Sequence, residues 1–257
     1  MTKEQIAEQL RNATLNKETI DPISNHIGNT DLDAAYEIQR INTIARLNNG
    51  NRIIGKKIGL TSISVQQQLG VDQPDYGILF SDMEVLNGLT VPYNDLMQPK
   101  AEAEIAFVLA EDLDYDNLTI IDLISCIDYA LPAIEIVDSR IRNWEIKLTD
   151  TIADNASASR FVLGHSPKTL DEIDVVNCTM QLSKNGSVVS EGTGADCMGS
   201  PLNAMLWLSK KMIEIGDPLK AGELIFSGAL GSMVDLTQGD RIEAEINGLG
   251  KVSVSFS

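Results

Sequence analysis

The chain has 257 residues, 43% of them hydrophobic, and a formal net charge of −17. That is enough apolar material for one large core, which excludes a disordered chain, and no run approaches the roughly 20 apolar residues of a membrane span. The excess of acid makes nucleic acid and anionic membranes poor partners, while also serving solubility.

The first residues, MTKEQIAEQL, are polar and lack an apolar signal core, so the protein is expected in the cytoplasm. Residues 3–13 and 31–48 read as amphipathic helices. In the second, Leu32, Ala35, Ile38, Ile41 and Ala45 recur at helical spacing, and Thr30 or Asp31 can cap its start. These elements define an expected N-terminal helical region, 1–50.

From 51 to 257 the pattern changes to short strands between turn signals, the expected β-rich catalytic region. RIIGKKIGL, AEIAFVLA, PAIEIVDS, SRFVLG, CTMQLSKNG, GELIFSG, RIEAEING and KVSVSFS are the strand candidates. Asn185–Gly186 and Asn247–Gly248 mark two hairpins. Helices are expected near 62–69, 119–128 and 201–215. Strands and helices do not alternate strictly, and there is no GxGxxG motif or P-loop. The fold class is therefore α+β with a largely antiparallel or mixed sheet, one structural unit overall.

In IIGKKIGL, Lys57 shares a strand face with Gly55 and Gly59, whereas Lys56 shares one with Ile54 and Ile58. Glycine in a strand marks close approach by a ligand or another backbone. Lys57 is thus the candidate pocket lysine, and Lys56 is expected to snorkel at the strand edge; both being solvent lysines is the alternative. LGVDQPDYGILFSDM, with Asp72, Asp75 and Tyr76, is rich in turn residues.

The segment KAEAEIAFVL places Glu102 and Glu104 on one face of a strand, about 6.6 Å apart. Two carboxylates beside a buried strand need a positive partner, and hard divalent cations prefer oxygen ligands. The competing reading is a strand end emerging into solvent. Glu135, inside the apolar run PAIEIVDS, supplies a third carboxylate. Its alternative is a buried ion pair with Arg140 or Arg142, for which Asp138 is the better-placed partner. Three carboxylates without histidine or cysteine select Mg²⁺ or Mn²⁺ over Zn²⁺, and three ligands leave coordination positions open for substrate.

The remaining motifs are less specific. His26 and His165 sit in polar, loop-like contexts away from any nucleophile motif. The three cysteines, Cys126, Cys178 and Cys197, lack metal or redox spacing and are expected to be reduced. DTIADNASASRF carries Asp150, Asp154, Asn155, Ser157 and Ser159, which could build turns and caps or bind a small polar ligand. SGALGS, residues 227–232, is a tight turn that could bring backbone N–H groups to a carboxylate.

Taken in order, KIGLTS (57–62), GVDQPDYG (70–77), EAEIAFVLAEDL (102–113), AIEIVDSRI (133–141), DTIADNASAS (150–159) and SGALGS resemble the 2-keto-4-pentenoate hydratases. These belong to the fumarylacetoacetate hydrolase superfamily. The resemblance runs from about Arg52 to Phe256. It implies a mixed β-roll or sandwich core and the metal ligands Glu102, Glu104 and Glu135. It also implies an active-site lysine at Lys57, an acidic catalytic residue at Asp75 and a substrate-carboxylate contact at Ser157. The implied reaction is metal-dependent addition of water to a 2-hydroxy-2,4-dienoate from aromatic meta-cleavage. The protein would be a homo-oligomer able to associate with a decarboxylase of the same pathway. No counterpart is evident of the histidine used by the superfamily's true hydrolases. Rival expectations are 4-oxalocrotonate decarboxylation, hydration of a dicarboxylic seven-carbon dienoate, and a non-catalytic partner subunit. The seven-carbon substrate would need an extra cation, and the sequence shows none converging.

Overall fold

A computed structural model describes residues 1–62, 66 and 73–257. Asp72 and most of the helix expected near 62–69 lie outside the described residues.

The chain opens with α1 (Lys3–Asn16), α2 (Ser24–Ile27) and α3 (Leu32–Asn48). Thr2 and Gln5 form a reciprocal capping box on α1, and the Asp31 side chain accepts the Ala34 N–H on α3, so both helix starts are satisfied locally. Ile6, Ala7 and Leu10 of α1 meet Ala35 and Ile38 of α3 in an apolar cluster. This cluster also takes in Leu148, Ile152 and Ala153 of α5 (Leu148–Ala153). Tyr36 stacks on Tyr76 with ring centres 4.5 Å apart. The Gln39 amide donates to the carbonyls of Tyr76 and Ile152. The N-terminal helices therefore buttress the segments that carry Asp75 and Ser157.

The main sheet contains β1 (Ile53–Gly59), β2 (Asp75–Phe80), β3 (Glu84–Val85), β5 (Pro99–Leu109), β6 (Ile127–Asp138), β7 (Ala158–Leu163), β10 (Leu224–Ala229) and β11 (Val234–Asp235). Its order is β2-β1-β10-β5-β6-β7-β3, with β11 on β5. The β1–β10 and β3–β7 pairs are parallel, and the others are antiparallel. A second sheet, β4-β13-β12-β8-β9, is formed by β4 (Thr90–Val91), β8 (Thr179–Lys184), β9 (Ser187–Thr193), β12 (Arg241–Ile246) and β13 (Gly250–Phe256). Asn185–Gly186 joins β8 to β9, both residues at positive φ, and Asn247–Gly248 lies between β12 and β13, as expected. Apolar residues of both sheets, among them Ile105, Phe107, Ile134, Phe161, Ile242 and Val254, share one core. α4 (Ile120–Cys126) and α6 (Pro201–Glu214) complete the elements used below.

Three local expectations change. The strand β2 lies in a stretch read as turn-rich, because its single glycine and preceding Pro and Asp mask a fully buried strand. Gly77 is required there: a Cβ would overlap the Asn155 carbonyl. β6 starts at Ile127, so α4 is shorter than the expected 119–128 helix. Finally, β1 is internal, between β2 and β10, so Lys56 is not at an edge. It is 3% exposed and pairs with Glu223 at 3.2 Å.

No helix among the described residues is long and apolar enough to cross a membrane. Cys126, Cys178 and Cys197 are free, buried thiols.

Candidate metal centre and active site

The sheet register brings the three glutamates together. Glu102 and Glu135 are direct Cα partners in the antiparallel β5–β6 pair, and Glu104 lies two residues further along β5 on the same face. One carboxylate oxygen from each lies within 4.8 Å of the other two. Like charges directly opposite each other in a sheet are destabilising. Two of the three are also buried, Glu104 and Glu135, while Glu102 is half-buried.

The electrostatics follow from that burial. Desolvation, with repulsion from Glu135, pushes the Glu102 carboxyl up to about 7. Desolvation and the other two carboxylates raise Glu104 well above the usual range. Desolvation also raises Glu135, against the opposing pull of Lys57.

Hydrogen bonding leaves this cluster undersatisfied. Glu104 Oε2 accepts the Gly228 N–H at 2.8 Å. Glu104 Oε1 and Glu135 Oε1 are buried without a hydrogen-bond partner among the described residues, and Glu135 Oε2 meets the Lys57 ammonium at 3.2 Å. Buried oxygens of this kind need a ligand or a cation. An all-oxygen donor set with unsatisfied buried atoms fits a hard divalent ion.

Lys57 reaches this cluster from β1. Its ammonium lies 3.2 Å from Glu135 Oε2 and donates to the Ala156 carbonyl at 3.0 Å. Burial acts to lower its pKa, but Glu135, Asp75, Glu102 and Glu104 outweigh that and hold the ammonium above its ordinary value. Asp75, at the start of β2, is 1% exposed and accepts the Thr151 hydroxyl on Oδ2 at 3.1 Å. Desolvation raises its pKa, opposed by Lys57. Gly59 completes the contact: a Cβ there would overlap an Asp75 carboxylate oxygen.

The wall opposite is a turn under backbone strain. Asn155, Ala156 and Ser157 have φ of +57°, +49° and +56°, a conformation that L-residues adopt at a cost. The Asn155 side chain pins it by bonding the Ile78 N–H and carbonyl of β2. Arg140 pins it from behind, pairing with the Asp154 carboxylate and donating to the Asp154 carbonyl. The turn aims the Ala156 carbonyl at Lys57. The Ser157 hydroxyl, buried and unpartnered among the described residues, lines the same cavity.

All of this opens onto a cavity of about 430 Å³. Lys57, Asp75, Glu102 and Ser157 line it together with Thr151, Lys100, Val137, Trp144, Ile146 and Met233. The volume suits a small organic acid.

Several sequence expectations resolve here. Every singled-out site residue, Lys57, Asp75, Glu102, Glu104, Glu135 and Ser157, lies at this one centre. The ion pair between Glu135 and Arg140 or Arg142 does not form: Arg140 takes Asp154, and Arg142 takes Asp21. Nor is the Asp138 carboxylate an arginine partner; it accepts the Met97 and Gln98 N–H groups. Of the DTIADNASASRF cluster, Ser157 faces the cavity, while Asp150 caps backbone N–H groups of Ser24 and Lys147. The SGALGS segment is not a tight turn from its start, because β10 runs through Ala229, but the Gly228 N–H within it does reach a carboxylate, that of Glu104. Both histidines are exposed and neither lines the cavity.

Sequence reasoning missed Thr151, Trp144 and Lys100. Lys100 was detectable, because it precedes Glu102 by two residues and so shares its strand face. The expectation that no extra cation converges on the site is therefore corrected: Lys100 lines the cavity.

The family model "Fumarylacetoacetate (FAA) hydrolase C-terminal" matches residues 64–256. A TodF product hydratase of Pseudomonas putida is 51% identical over 251 residues, covering 98% of this chain and 94% of that protein. A 2-keto-4-pentenoate hydratase of Dechloromonas aromatica is 49% identical over 257 residues, covering 100% of this chain and 98% of that protein. Among solved structures, 4-oxalocrotonate decarboxylase from Pseudomonas putida G7, complexed with magnesium and adipate, superposes with a TM-score of 0.95 at 35% identity. That match covers 100% of this chain and 99% of the decarboxylase. The mixed α+β fold with N-terminal helices is the one the motifs implied. The chain belongs to the 2-keto-4-pentenoate hydratase family of the fumarylacetoacetate hydrolase superfamily.

Proposed function

We propose that the protein is a hydro-lyase that adds water to a 2-hydroxy-2,4-dienoate, giving a 4-hydroxy-2-oxo acid, with Mg²⁺ or Mn²⁺ held by Glu102, Glu104 and Glu135. The observation that carries this reading is the convergence of three carboxylates, two of them buried with unsatisfied oxygens, beside Lys57 and Asp75. A hard dication held there would supply Lewis-acid chemistry to the substrate.

The protein groups divide the rest of the work. Ser157 contacts the substrate carboxylate. The buried Lys57 ammonium offers positive charge to an electron-rich dienol, and its own proton is held by the surrounding carboxylates. Asp75, kept dry and oriented by Thr151, is placed to move protons and to orient water. The enol proton leaves, C5 gains a proton, and a 2-oxo-3-ene results. Water then adds across C3–C4: oxygen bonds to C4, C3 takes a proton, and the second water proton returns to the acid–base groups. The apolar wall of Val137, Trp144, Ile146 and Met233 suits a short hydrocarbon tail.

Following dienoate loss by ultraviolet absorption with and without Mg²⁺ or Mn²⁺ tests the reading directly. Metal-dependent loss is expected for 2-hydroxypenta-2,4-dienoate; equal rates after chelation would sink it. The decarboxylase likeness favours a second reading, CO₂ loss from oxalocrotonate. Faster turnover of oxalocrotonate than of pentadienoate would establish that one instead. Relatives named hydratases stand at about half identity and the decarboxylase at 35%, which supports hydration. The free thiols support a cytoplasmic setting. A homo-oligomer, with association to a decarboxylase of the same pathway, completes the proposal.

A further inference from the structure

Lys100 holds a charge in the cavity to which the reaction above assigns no task. It shares its strand face with Glu102 and Glu104. Across the sheet its Cα partner is Val137, and Val137 pairs in turn with Ala158, the residue after Ser157. Lys100 and Val137 thus share one sheet level, next to that of the Glu102–Glu135 pair, and Ser157 ends the turn that enters β7 beside it. All three line the cavity. The Lys100 side chain is 24% exposed, against 4% for that of Lys57, and Asp75 is buried. It therefore marks the outer side of the cavity, and the acid–base groups mark the inner side.

Two observations point to a ligand at this level. The Ser157 hydroxyl is buried without a partner among the described residues, a state that ligand binding relieves. The Lys100 ammonium is partnered only loosely. It sits 5.2 Å from the Trp144 ring centre and 2.9 Å from an Asp235 oxygen whose side chain is 81% exposed. Exposed pairs of this kind contribute little, so a carboxylate entering the drier cavity competes with Asp235 effectively.

We propose that Lys100 and Ser157 together seat the substrate's C1 carboxylate, so that C3 to C5 run inward to Lys57 and Asp75. The inference rests on the hydratase reading and deepens it. Protons move at C3 and C5 and oxygen arrives at C4, so these carbons must face the buried acid–base groups. The charged end is left for the outer cation. A second carboxylate at the inner end would lie against Asp75 and Glu135. The site therefore selects a free C1 carboxylate with a short, uncharged tail.

The test uses the Mg²⁺-loaded full chain and 2-oxopentanoate, which lacks the reactive double bonds, measured by calorimetry. Replacing Lys100 by Met is expected to weaken binding about 10- to 100-fold, the worth of one charge-assisted hydrogen bond. Lys100→Arg, which keeps the charge over Trp144, is expected to stay within a few-fold of wild type. In turnover of 2-hydroxypenta-2,4-dienoate, the Lys100→Met loss should fall on KM, with kcat changed far less. If Lys100→Met does not fold, Lys100→Gln is read the same way. Wild-type affinity in the variant overturns the proposal. So does a loss confined to 2-oxoheptanedioate, which would place Lys100 at a distal carboxylate. Absence of metal-dependent hydration in the wild-type protein, by contrast, refutes the underlying hydratase reading and not the anchoring of the carboxylate.

Discussion

The Lys57 ammonium lies 3.2 Å from Glu135 Oε2, and both side chains are buried. One carboxylate is therefore shared between a fixed cation of the protein and the proposed ion. The lysine offsets part of the repulsion among the three glutamates, yet it also repels a dication. Lys57→Met is accordingly expected to separate catalysis from metal binding. Activity should fall about 10²- to 10⁴-fold, the usual span for a lost proton-transfer or charge-stabilising group. The affinity for Mn²⁺, read by calorimetry at neutral pH, should stay equal or tighten. Loss of both together would mean that Lys57 assembles the site and does not act in the reaction.

Glu104 is fully enclosed, and Gly228 already supplies it one donor. Glu104→Gln keeps an acceptor for that N–H and removes one of three mutually repelling charges. The metal-free variant should melt no lower than wild type. What it should lose is stabilisation by the ion. At about 100 times Kd a ligand adds roughly 2.7 kcal/mol, or roughly 5–10 °C for a chain of this size. Differential scanning with added Mn²⁺ should show that rise in wild type and little of it in Glu104→Gln. Equal rises would remove Glu104 from the ligand set.

Gly59 and Asp75 test positioning without touching a charged group. An alanine Cβ at 59 would overlap an Asp75 oxygen and come within 3.3 Å of Lys57 Nζ. Because φ at Gly59 is ordinary, the backbone tolerates the change, and the Asp75 carboxylate is what must move. A displacement of this order at a proton-transfer group costs about 10²-fold in rate. Gly59→Ala should therefore reduce kcat by about that factor while the folded protein persists by circular dichroism. An unchanged kcat would show that Asp75 does not act at its present position.

Much of this centre is legible in the chain because strands alternate. KAEAE on one strand and IEI on another need only an antiparallel register to converge, and the register supplies the Glu102–Glu135 pair. The lysine was legible from its glycine neighbours for the same reason. Alternation also exposes Lys100, once β5 is known to face a cavity. The turn at 155–157 was not legible. Its left-handed backbone at Ala156 and Ser157 is imposed by Asn155 on β2 and by Arg140 behind Asp154, contacts that span up to 77 positions of sequence. Strand β2 was hidden because burial of all six residues removes the polar alternation by which strands are recognised. Lys56 was misjudged for a topological reason: no local pattern tells that β10 pairs with β1.

Asp240 ties the turn before β12 to the β8–β9 hairpin. Its carboxylate accepts the Thr237 N–H at 2.7 Å, the Thr237 hydroxyl at 2.9 Å and the Asn185 amide at 2.8 Å, and pairs with Lys184 at 2.7 Å. Burial acts to raise its pKa, but Lys184 and these donors outweigh it and hold the carboxyl at about 2. A folded-state pKa below the unfolded value means that the ionised form stabilises the fold. The contribution is fully present above about pH 4 and is lost as the pH falls towards 2. With solvent screening it is worth about 1–2 kcal/mol. Asp240→Asn should therefore lower stability by that amount at pH 7, measured by urea titration. The gap to wild type should narrow steadily between pH 4 and pH 2. A gap that stays constant over this range would show that the carboxylate acts through shape and hydrogen bonding alone, without its charge.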